Sequence, residues 1–310
     1  MRTGGLTMEK SIRAADTGKP KRRRLHYSKA GHANRSLGGN LCMGLFLALM
    51  AVFMLFPLIY TVCNAFKPLS ELFLFPPRFF VRNPTLQNFI DLGNLAASSW
   101  VPFSRYLFNT VFITVVGTAG HLIMASMCAY ALAKREFRGK NVLFTLVVFS
   151  LMFNAAVTTI PNFMIVSWLG LIDTIWALII PAFGSSLGLY LMKQFMEQLP
   201  DTLLEAAEID GAGEWMKFWR IAMPNVKSAW LTLTVFSVQS LWNISVTNFV
   251  YKEELKPLGV AFTQAVAAGT ISRAGVSAAV TVVMMSVPIV VFLCTQSRII
   301  ETMTASGIKE

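Results

Sequence analysis

Six apolar stretches, each long enough to cross a membrane, constrain this chain more than any other feature of its sequence. They lie at residues 41–62, 107–132, 142–164, 173–192, 228–250 and 276–297. A helix of about 20 apolar residues spans the hydrocarbon core of a bilayer. Apart from Asp173 at one edge, the stretches contain no Lys, Arg, Asp or Glu. Because a charge at the bilayer centre costs roughly 2.5–3.5 kcal/mol on insertion scales, the pattern predicts an all-α integral membrane protein with six transmembrane helices.

The basic residues indicate how these helices are oriented. The chain has a net charge of +11 and contains 27 Lys and Arg residues. If the amino terminus is cytoplasmic, most of them fall in the segments that face the cytoplasm, as the positive-inside rule requires. We therefore expect a multi-pass membrane protein with both termini in the cytoplasm. The basic run at residues 19–24 is interpreted as a topology anchor, so no nucleic-acid partner is expected.

One membrane domain accounts for most of the chain. Residues 1–40 are predicted to form a basic cytoplasmic segment, residues 41–297 the six-span domain, and residues 298–310 a cytoplasmic tail. The outer loop at residues 64–106 is long and rich in proline and phenylalanine, which predicts a folded cap. A short helix is expected after Pro257, in the outer connection that follows the fifth stretch.

A polar segment lies between the fourth and fifth apolar stretches, at residues 193–227. Thr202 and Glu205 have the spacing of a capping box, which predicts the start of a short helix. This helix is expected to continue to Ile209. Gly211 is expected to end it, because glycine adopts the left-handed conformation at low cost. The segment therefore begins as a helix on the cytoplasmic face.

A second short helix is predicted to complete a hairpin. Gly213 is expected to share the left-handed exit, and the second helix to cover residues 214–222 and end ahead of Pro224. The two alanines that follow Glu205 have small side chains, so a partner protein could approach the backbone closely. The residues predicted to contact or position that partner are Glu205, Ala206, Ala207, Asp210, Gly211, Ile221 and Pro224.

The spacing of these residues resembles the cytoplasmic coupling loop of ATP-binding-cassette importer permeases, with Met223-Pro224 where that family usually has Leu-Pro. The resemblance implies the permease fold, with the first short helix as the coupling helix, in a bacterial cell membrane. It implies a second homologous permease, two ATPase subunits, an extracellular solute-binding protein and membrane lipid as partners. It also implies no catalytic residue, metal site or cofactor site here, because ATP and Mg²⁺ are bound by the ATPase subunits. Consistent with this, the sequence lacks a phosphate-binding loop.

Further segments bear on the solute. Residues 105–110, 129–133 and 242–243 are similar to the second, shorter permease of maltose-type importers. This similarity implies a sugar or an oligosaccharide. Importers of polyamines or phosphodiesters have the same loop, so a non-sugar solute is the alternative. An ion-coupled secondary transporter is a weaker alternative, because it would need carboxylates within the spans.

Polar residues in the fifth stretch are candidates for a solute pathway. Gln239, Asn243 and Thr247 are four residues apart, which places them on one face of the predicted helix. Trp242 lies beside them, and an aromatic ring with neighbouring amide groups suits sugar rings and hydroxyls. Asn154 in the third stretch is a further candidate. The alternative explanation for all of these residues is hydrogen bonding between helices.

A second polar face is predicted in the second stretch. Thr110, Thr114, Thr118 and His121 recur at helical spacing. A histidine within a membrane can relay protons, but no acidic residue lies in the centre of any other stretch. The face is therefore interpreted as a packing surface.

Overall fold

The computed structural model describes residues 37–97, 100–267 and 274–307. The predicted topology anchor at residues 19–24 and the last three residues of the predicted tail lie outside these ranges. All regular secondary structure in the described ranges is helical, as predicted. The chain divides after Leu55 into two compact units. In the first unit, the structure describes the beginning of one helix, and every other described helix belongs to the second unit.

The helices follow one another along the chain with short connections. The first half of the chain contains α1 (Leu37–Ala65), α2 (Leu69–Leu72), α3 (Gln87–Ala97), α4 (Phe103–Lys134), α5 (Lys140–Ser150) and α6 (Ala155–Trp168). The second half contains α7 (Trp176–Phe183), α8 (Ser186–Glu197), α9 (Asp201–Ile209), α10 (Glu214–Met216), α11 (Met223–Asn225), α12 (Lys227–Trp242), α13 (Leu258–Ala267) and α14 (Ala274–Gly307). A π-helical turn at Lys217–Ala222 joins α10 to α11, and a 3-10 turn covers Glu253–Leu255.

Four helical segments of the described chain are long and apolar enough to cross a membrane. They are Gly38–Ala65, Phe103–Lys134, Trp176–Glu197 and Ala274–Ser297. These segments match the first, second, fourth and sixth predicted stretches. The count of six spans stays a prediction, because the third and fifth stretches do not form single long helices.

The third stretch is interrupted at residues 151–154. The prediction of one helix over residues 142–164 was therefore wrong. Helices α5 and α6 have 11 and 14 residues. The break has a local cause at Asn154, whose Oδ1 accepts a hydrogen bond from the backbone N–H of Ala156 over 3.1 Å. Asparagine is a favoured residue at the start of a helix because it satisfies a free N–H in this way. Asn154 therefore begins α6 and does not lie within a continuous span.

The fifth stretch also departs from the prediction, because α12 ends at Trp242 and residues 243–250 are not helical. With 16 residues, α12 is roughly 24 Å long. The irregular segment is fixed by Asp173, whose backbone N–H donates to Phe249 O over 2.9 Å. Asp173 Oδ1 accepts hydrogen bonds from the N–H groups of Tyr251, over 2.6 Å, and Lys252, over 3.0 Å. These bonds to a residue outside the stretch replace the helical ones.

Helix α4 is central to the second unit and packs against α7, α8 and α12. Glycines permit the close approach of the neighbouring helices. A Cβ atom at Gly120 would lie 2.1 Å from the Phe183 ring, and one at Gly188 would lie 2.2 Å from His121 Nε2. Helices in a lipid solvent associate largely through such close packing of small residues. The glycines thus set how near α4 lies to α7 and α8.

The segment between α1 and α4 is folded. The Glu71 carboxylate accepts hydrogen bonds from the backbone N–H groups of Arg82 and Asn83, over 3.1 and 3.0 Å. The Asn88 amide donates to the carbonyls of Ala65 and Lys67, each over 2.8 Å. The first bonds hold α2 to the segment that precedes α3, and the second join α3 to the end of α1. In the connection between α12 and α13, α13 begins directly after Pro257, as predicted.

Candidate functional site

The segment between α8 and α12 forms the predicted hairpin, and α9 is its first arm. Helix α9 begins at Asp201 after Pro200, and no side chain caps its first turn. The predicted capping box was therefore wrong, because Thr202 lies inside the helix. Asp201 occupies the first turn instead, where a carboxylate interacts favourably with the positive end of the helix dipole.

The turn between the two arms depends on Gly211, which has φ +81°. The Gly211 N–H donates to Glu208 O over 3.0 Å, and the Ala212 N–H donates to Ala207 O over 2.8 Å. These two bonds define a Schellman motif, in which a left-handed residue follows the end of a helix. The left-handed exit predicted at Gly211 is thus observed. Gly213 differs from the prediction, because it has φ −69° and precedes the next helix in an extended conformation.

The second arm runs from α10 through the π-helical turn into α11. Its predicted start at Glu214 is correct, but it does not end ahead of Pro224. The Met223 N–H donates to Phe218 O, five residues back. A π-helical turn of this kind widens the helix, and Pro224 then lies in the first turn of α11, where no N–H is required. The helical path therefore continues through the proline.

One side of the hairpin is packed against the ends of α4, α8 and α12. Leu204 of α9 and Phe218 and Ala222 of the second arm belong to one buried apolar cluster with residues of these helices. The rings of Phe218 and Tyr130 meet edge to face, with centroids 5.4 Å apart. Ile221 packs against the same cluster. Ile221 thus holds the second arm in place and does not lie on the exposed side.

The other side of the hairpin is exposed. Glu205, Ala206, Asp210 and Gly211 are all exposed, Ala207 is half-buried, and Pro224 is exposed on the second arm. Large apolar side chains lie on the same hairpin, with Ile209 87% and Trp215 64% exposed. Contiguous exposed apolar surface commonly marks a protein interaction site. Sequence reasoning missed Ile209 and Trp215, although two bulky apolar residues around a glycine turn in a polar segment were visible in the sequence.

Ion pairs connect the two arms. The Lys217 ammonium donates to Glu208 Oε2 over 2.7 Å and lies 3.0 Å from Glu214 Oε1. The hydrogen bond from Lys217 and its positive charge hold the pKa of Glu208 below its usual value. Glu208 is therefore ionised at neutral pH, and the bond across the hairpin is charge-assisted.

The residues predicted to line a solute pathway do not form one stripe. Gln239 and Asn243 are both exposed at the end of α12, where the Asn243 amide donates to Gln239 O over 2.9 Å. Thr247 lies beyond the helix, and its hydroxyl accepts a hydrogen bond from the Phe249 N–H over 3.2 Å. The prediction that Thr247 shares a helical face with the other two was therefore wrong. Asn154 is exposed at the break between α5 and α6.

Trp242 is 6% exposed and belongs to a buried cluster, so we expect Trp242→Ala to lower the yield of folded protein and transport together. Removing a large buried aromatic side chain typically costs about 3–5 kcal/mol. The control is Phe236→Ala, because Phe236 is an exposed aromatic residue on the same helix. Size-exclusion chromatography of the purified variants measures folding. A Trp242→Ala variant that folds normally but transports poorly would instead support a direct role with the solute.

The polar face of α4 is buried within the protein. His121 Nδ1 lies 2.6 Å from Ser237 Oγ of α12. The Thr110 hydroxyl donates to Tyr106 O over 2.9 Å and accepts from the Leu258 N–H over 2.7 Å. Thr114 and Thr118 are also buried. These positions support the packing interpretation of this face. Among the residues described, no group of three His, Cys, Asp or Glu side chains could hold a metal ion.

Comparisons with known proteins agree with this fold. Protein LplC of Bacillus subtilis is 36% identical over 224 residues, which cover 71% of this chain and 70% of LplC. The polygalacturonan/rhamnogalacturonan transport system permease protein YtcP of the same organism is 32% identical and covers 66% of this chain and 70% of its own length. A crystal structure of a bacterial ABC transporter that imports the acidic polysaccharide alginate has a TM-score of 0.67 at 23% identity, over 87% of this chain and 99% of that one.

The family comparison covers α8 to α12 and the hairpin between them. The family described as the binding-protein-dependent transport system inner membrane component matches residues 121–303. That range also includes the last 14 of the 32 residues of α4 and nearly all of α14. It covers more than half of the chain, and the LplC comparison extends over a similar share. The chain therefore belongs to the family of inner membrane components of binding-protein-dependent transport systems.

Proposed function

We propose that this chain is the membrane-spanning permease subunit of an ATP-driven importer, and that it translocates a sugar or an oligosaccharide delivered by an extracellular solute-binding protein. The observation that supports the proposal most is the hairpin with its turn at Gly211. One side of the hairpin packs against α4, α8 and α12, and the other side is exposed. The sugar assignment is supported by YtcP and by the alginate transporter, both named for polysaccharides or their import.

The exposed side of the hairpin is the proposed contact with an ATPase subunit. Glu205, Ala206, Ala207, Asp210 and Gly211 lie in one helix and its turn. The small side chains let a groove of the partner approach the backbone, and the acidic residues flank that contact with charge. On the second arm, Ile221 and Pro224 position the helix that faces the first arm.

The proposed assembly contains four other subunits or proteins. They are a second homologous permease, two ATPase subunits and the solute-binding protein, and ATP and Mg²⁺ are bound by the ATPase pair. The assembly lies in the bacterial cell membrane, with both termini of this chain in the cytoplasm. The basic segment at residues 1–40, the membrane domain at 41–297 and the tail at 298–310 are part of this proposal.

The proposed mechanism is a rigid-body movement. Closure of the two ATPase subunits on ATP displaces the hairpin, and the displaced hairpin tilts the helices on which it packs. The pore then changes from inward to outward access, and the solute enters from the docked binding protein. Such transitions between two packed arrangements need no chemistry on the solute.

Isolation of the complete complex tests this function. We expect tagged permease to copurify from its native membranes with a second permease and an ATPase. We also expect the associated binding protein to bind a saccharide when titrated by calorimetry with oligogalacturonides, spermidine and a glycerol phosphodiester. Binding of spermidine or the phosphodiester alone would contradict the sugar assignment. Uptake by the lone chain without ATP would contradict the importer.

A further inference from the structure

Two consecutive residues at the end of α4 contact both arms of the hairpin. Lys134 Nζ donates to Leu199 O over 2.5 Å and to Asp201 Oδ1 over 2.7 Å, at the start of the first arm. Arg135 forms an ion pair with Glu214, at the start of the second arm. One helix end is therefore bonded to both arms at once.

A third basic residue bonds the two arms to each other. Lys217 of the second arm bonds to Glu208 of the first arm. The side chains of Lys134 and Lys217 are only 5% and 4% exposed, whereas their carboxylate partners are about 70% exposed. The two ammonium groups are thus enclosed by protein, and each needs its partners to remain charged there. We call Lys134, Arg135 and Lys217 the basic triad.

Helix α4 differs from the other long apolar helices that the structure describes. The other three candidate spans each contain a proline, at Pro57, Pro181 and Pro288. Helix α4 has 32 residues without a proline, which corresponds to roughly 48 Å. Proline removes a backbone hydrogen bond and bends a helix, so α4 lacks the residue that most commonly bends such a helix.

The opposite end of α4 is bonded to the connection between α12 and α13. The Asn109 amide donates to Glu254 O over 2.8 Å and to Lys256 O over 3.1 Å. The Thr110 hydroxyl accepts from the Leu258 N–H over 2.7 Å. One uninterrupted helix therefore has side-chain bonds to the hairpin at one end and to the connection at residues 251–258 at the other.

We propose that Lys134 and Arg135 fasten the hairpin to α4 and that Lys217 fastens its two arms to each other, so that hairpin and helix move as one body when ATP binds and the movement reaches the connection at residues 251–258. Lys134, Arg135 and Lys217 are positioning residues, because they act through the hairpin and contact no solute. This inference rests on the proposed function. A general stabilising effect is the competing explanation, and exposed ion pairs such as Lys140–Glu136 commonly contribute little.

Pulsed electron paramagnetic resonance on the complete complex separates these explanations. One nitroxide is attached to Cys128, which is exposed on α4, and the other at Thr202→Cys, because Thr202 is exposed on α9 and lies outside the proposed ATPase contact. The remaining cysteines are replaced by serine. The parent complex is expected to have the same narrow label distance without nucleotide and with ATP plus vanadate. In Lys134→Met/Lys217→Met, we expect the distribution with ATP plus vanadate to be at least about twofold wider, because the hairpin then has several positions relative to α4 and mutations of this kind change the coupling between elements.

Three further variants make the result decisive. Lys134→Arg should restore the narrow distribution, and Lys140→Met should match the parent because Lys140 pairs only with Glu136 among the ion pairs described. If the double variant does not fold, Asp201→Asn removes one exposed carboxylate charge and should still widen the distribution. Parental width in a variant that copurifies with the ATPase would overturn the inference. Failure of the parent chain to copurify with the ATPase would instead contradict the proposed function.

Discussion

Gly211→Ala is expected to separate this permease from its ATPase subunit, whereas Gly213→Ala is not. Gly211 has φ +81°, and no atom lies within 4 Å of the position that a Cβ would occupy. The cost of an alanine there is therefore conformational and not steric. A left-handed backbone costs a residue with a Cβ roughly 1–2 kcal/mol. That cost corresponds to about a 5- to 30-fold fall in the ratio of hairpins with the native turn to hairpins without it.

The measurement is the amount of ATPase that copurifies with tagged permease from membranes, at equal permease yield. Gly213 is the matched control, because it is two residues away, is equally open, and has φ −69°. Gly211→Asn should retain more ATPase than Gly211→Ala, since asparagine tolerates the left-handed conformation. Equal recovery of ATPase with Gly211→Ala and Gly213→Ala would show that the turn does not determine the contact.

Gly188→Ala is expected to destabilise the membrane domain strongly. A Cβ at Gly188 would lie 2.2 Å from His121 Nε2 and 2.8 Å from a Leu233 methyl group. His121 is held by Ser237 and cannot move aside without losing that bond. Helix α8 would then have to move away from α4 and α12. Overpacking of this kind typically lowers the free energy of unfolding by about 1–3 kcal/mol.

Thermal unfolding followed by tryptophan fluorescence, in the same detergent for every variant, measures this effect. The control is Gly184→Ala, four residues earlier, where the only neighbour of an added Cβ is Pro181 O at 3.7 Å. We expect the Gly184 variant to unfold within a few degrees of the parent and the Gly188 variant well below it. Equal unfolding temperatures would mean that α8 has room to shift without loss of packing.

The sequence predicted helices wherever the apolar run is uninterrupted. Helix α4 and helix α14 each contain one such run, so a hydropathy window finds them. Asn154 and Asn243 are polar but uncharged, so they change the mean hydropathy of a sequence window very little. Their helices end because of individual hydrogen bonds, and the segment after Asn243 is held by Asp173, which is 78 residues from its partner Tyr251. Bonds between distant residues leave no periodic signal in the sequence.

The same distinction applies to the hairpin. The turn at Gly211 is local, so glycine at the end of a short helix was enough to predict its conformation. The predicted capping box was wrong because α9 begins at Asp201, directly after Pro200, so Thr202 lies inside the helix. The attachment of the hairpin was not predicted, since Lys134 and Asp201 are 67 residues apart. Only the fold brings these two charges together.

The separation of the hairpin into two sides has a consequence for engineering. Its outward surface is formed by a few neighbouring residues around Ile209 and Gly211, while Leu204, Phe218 and Lys217 face inward. If this outward surface is the ATPase contact, as proposed, an outward surface transplanted from another importer onto the unchanged inward residues would let a foreign ATPase subunit drive this permease. Substitutions in one surface would likewise accumulate without disturbing the other. Related importers would then be able to exchange ATPase subunits over evolutionary time.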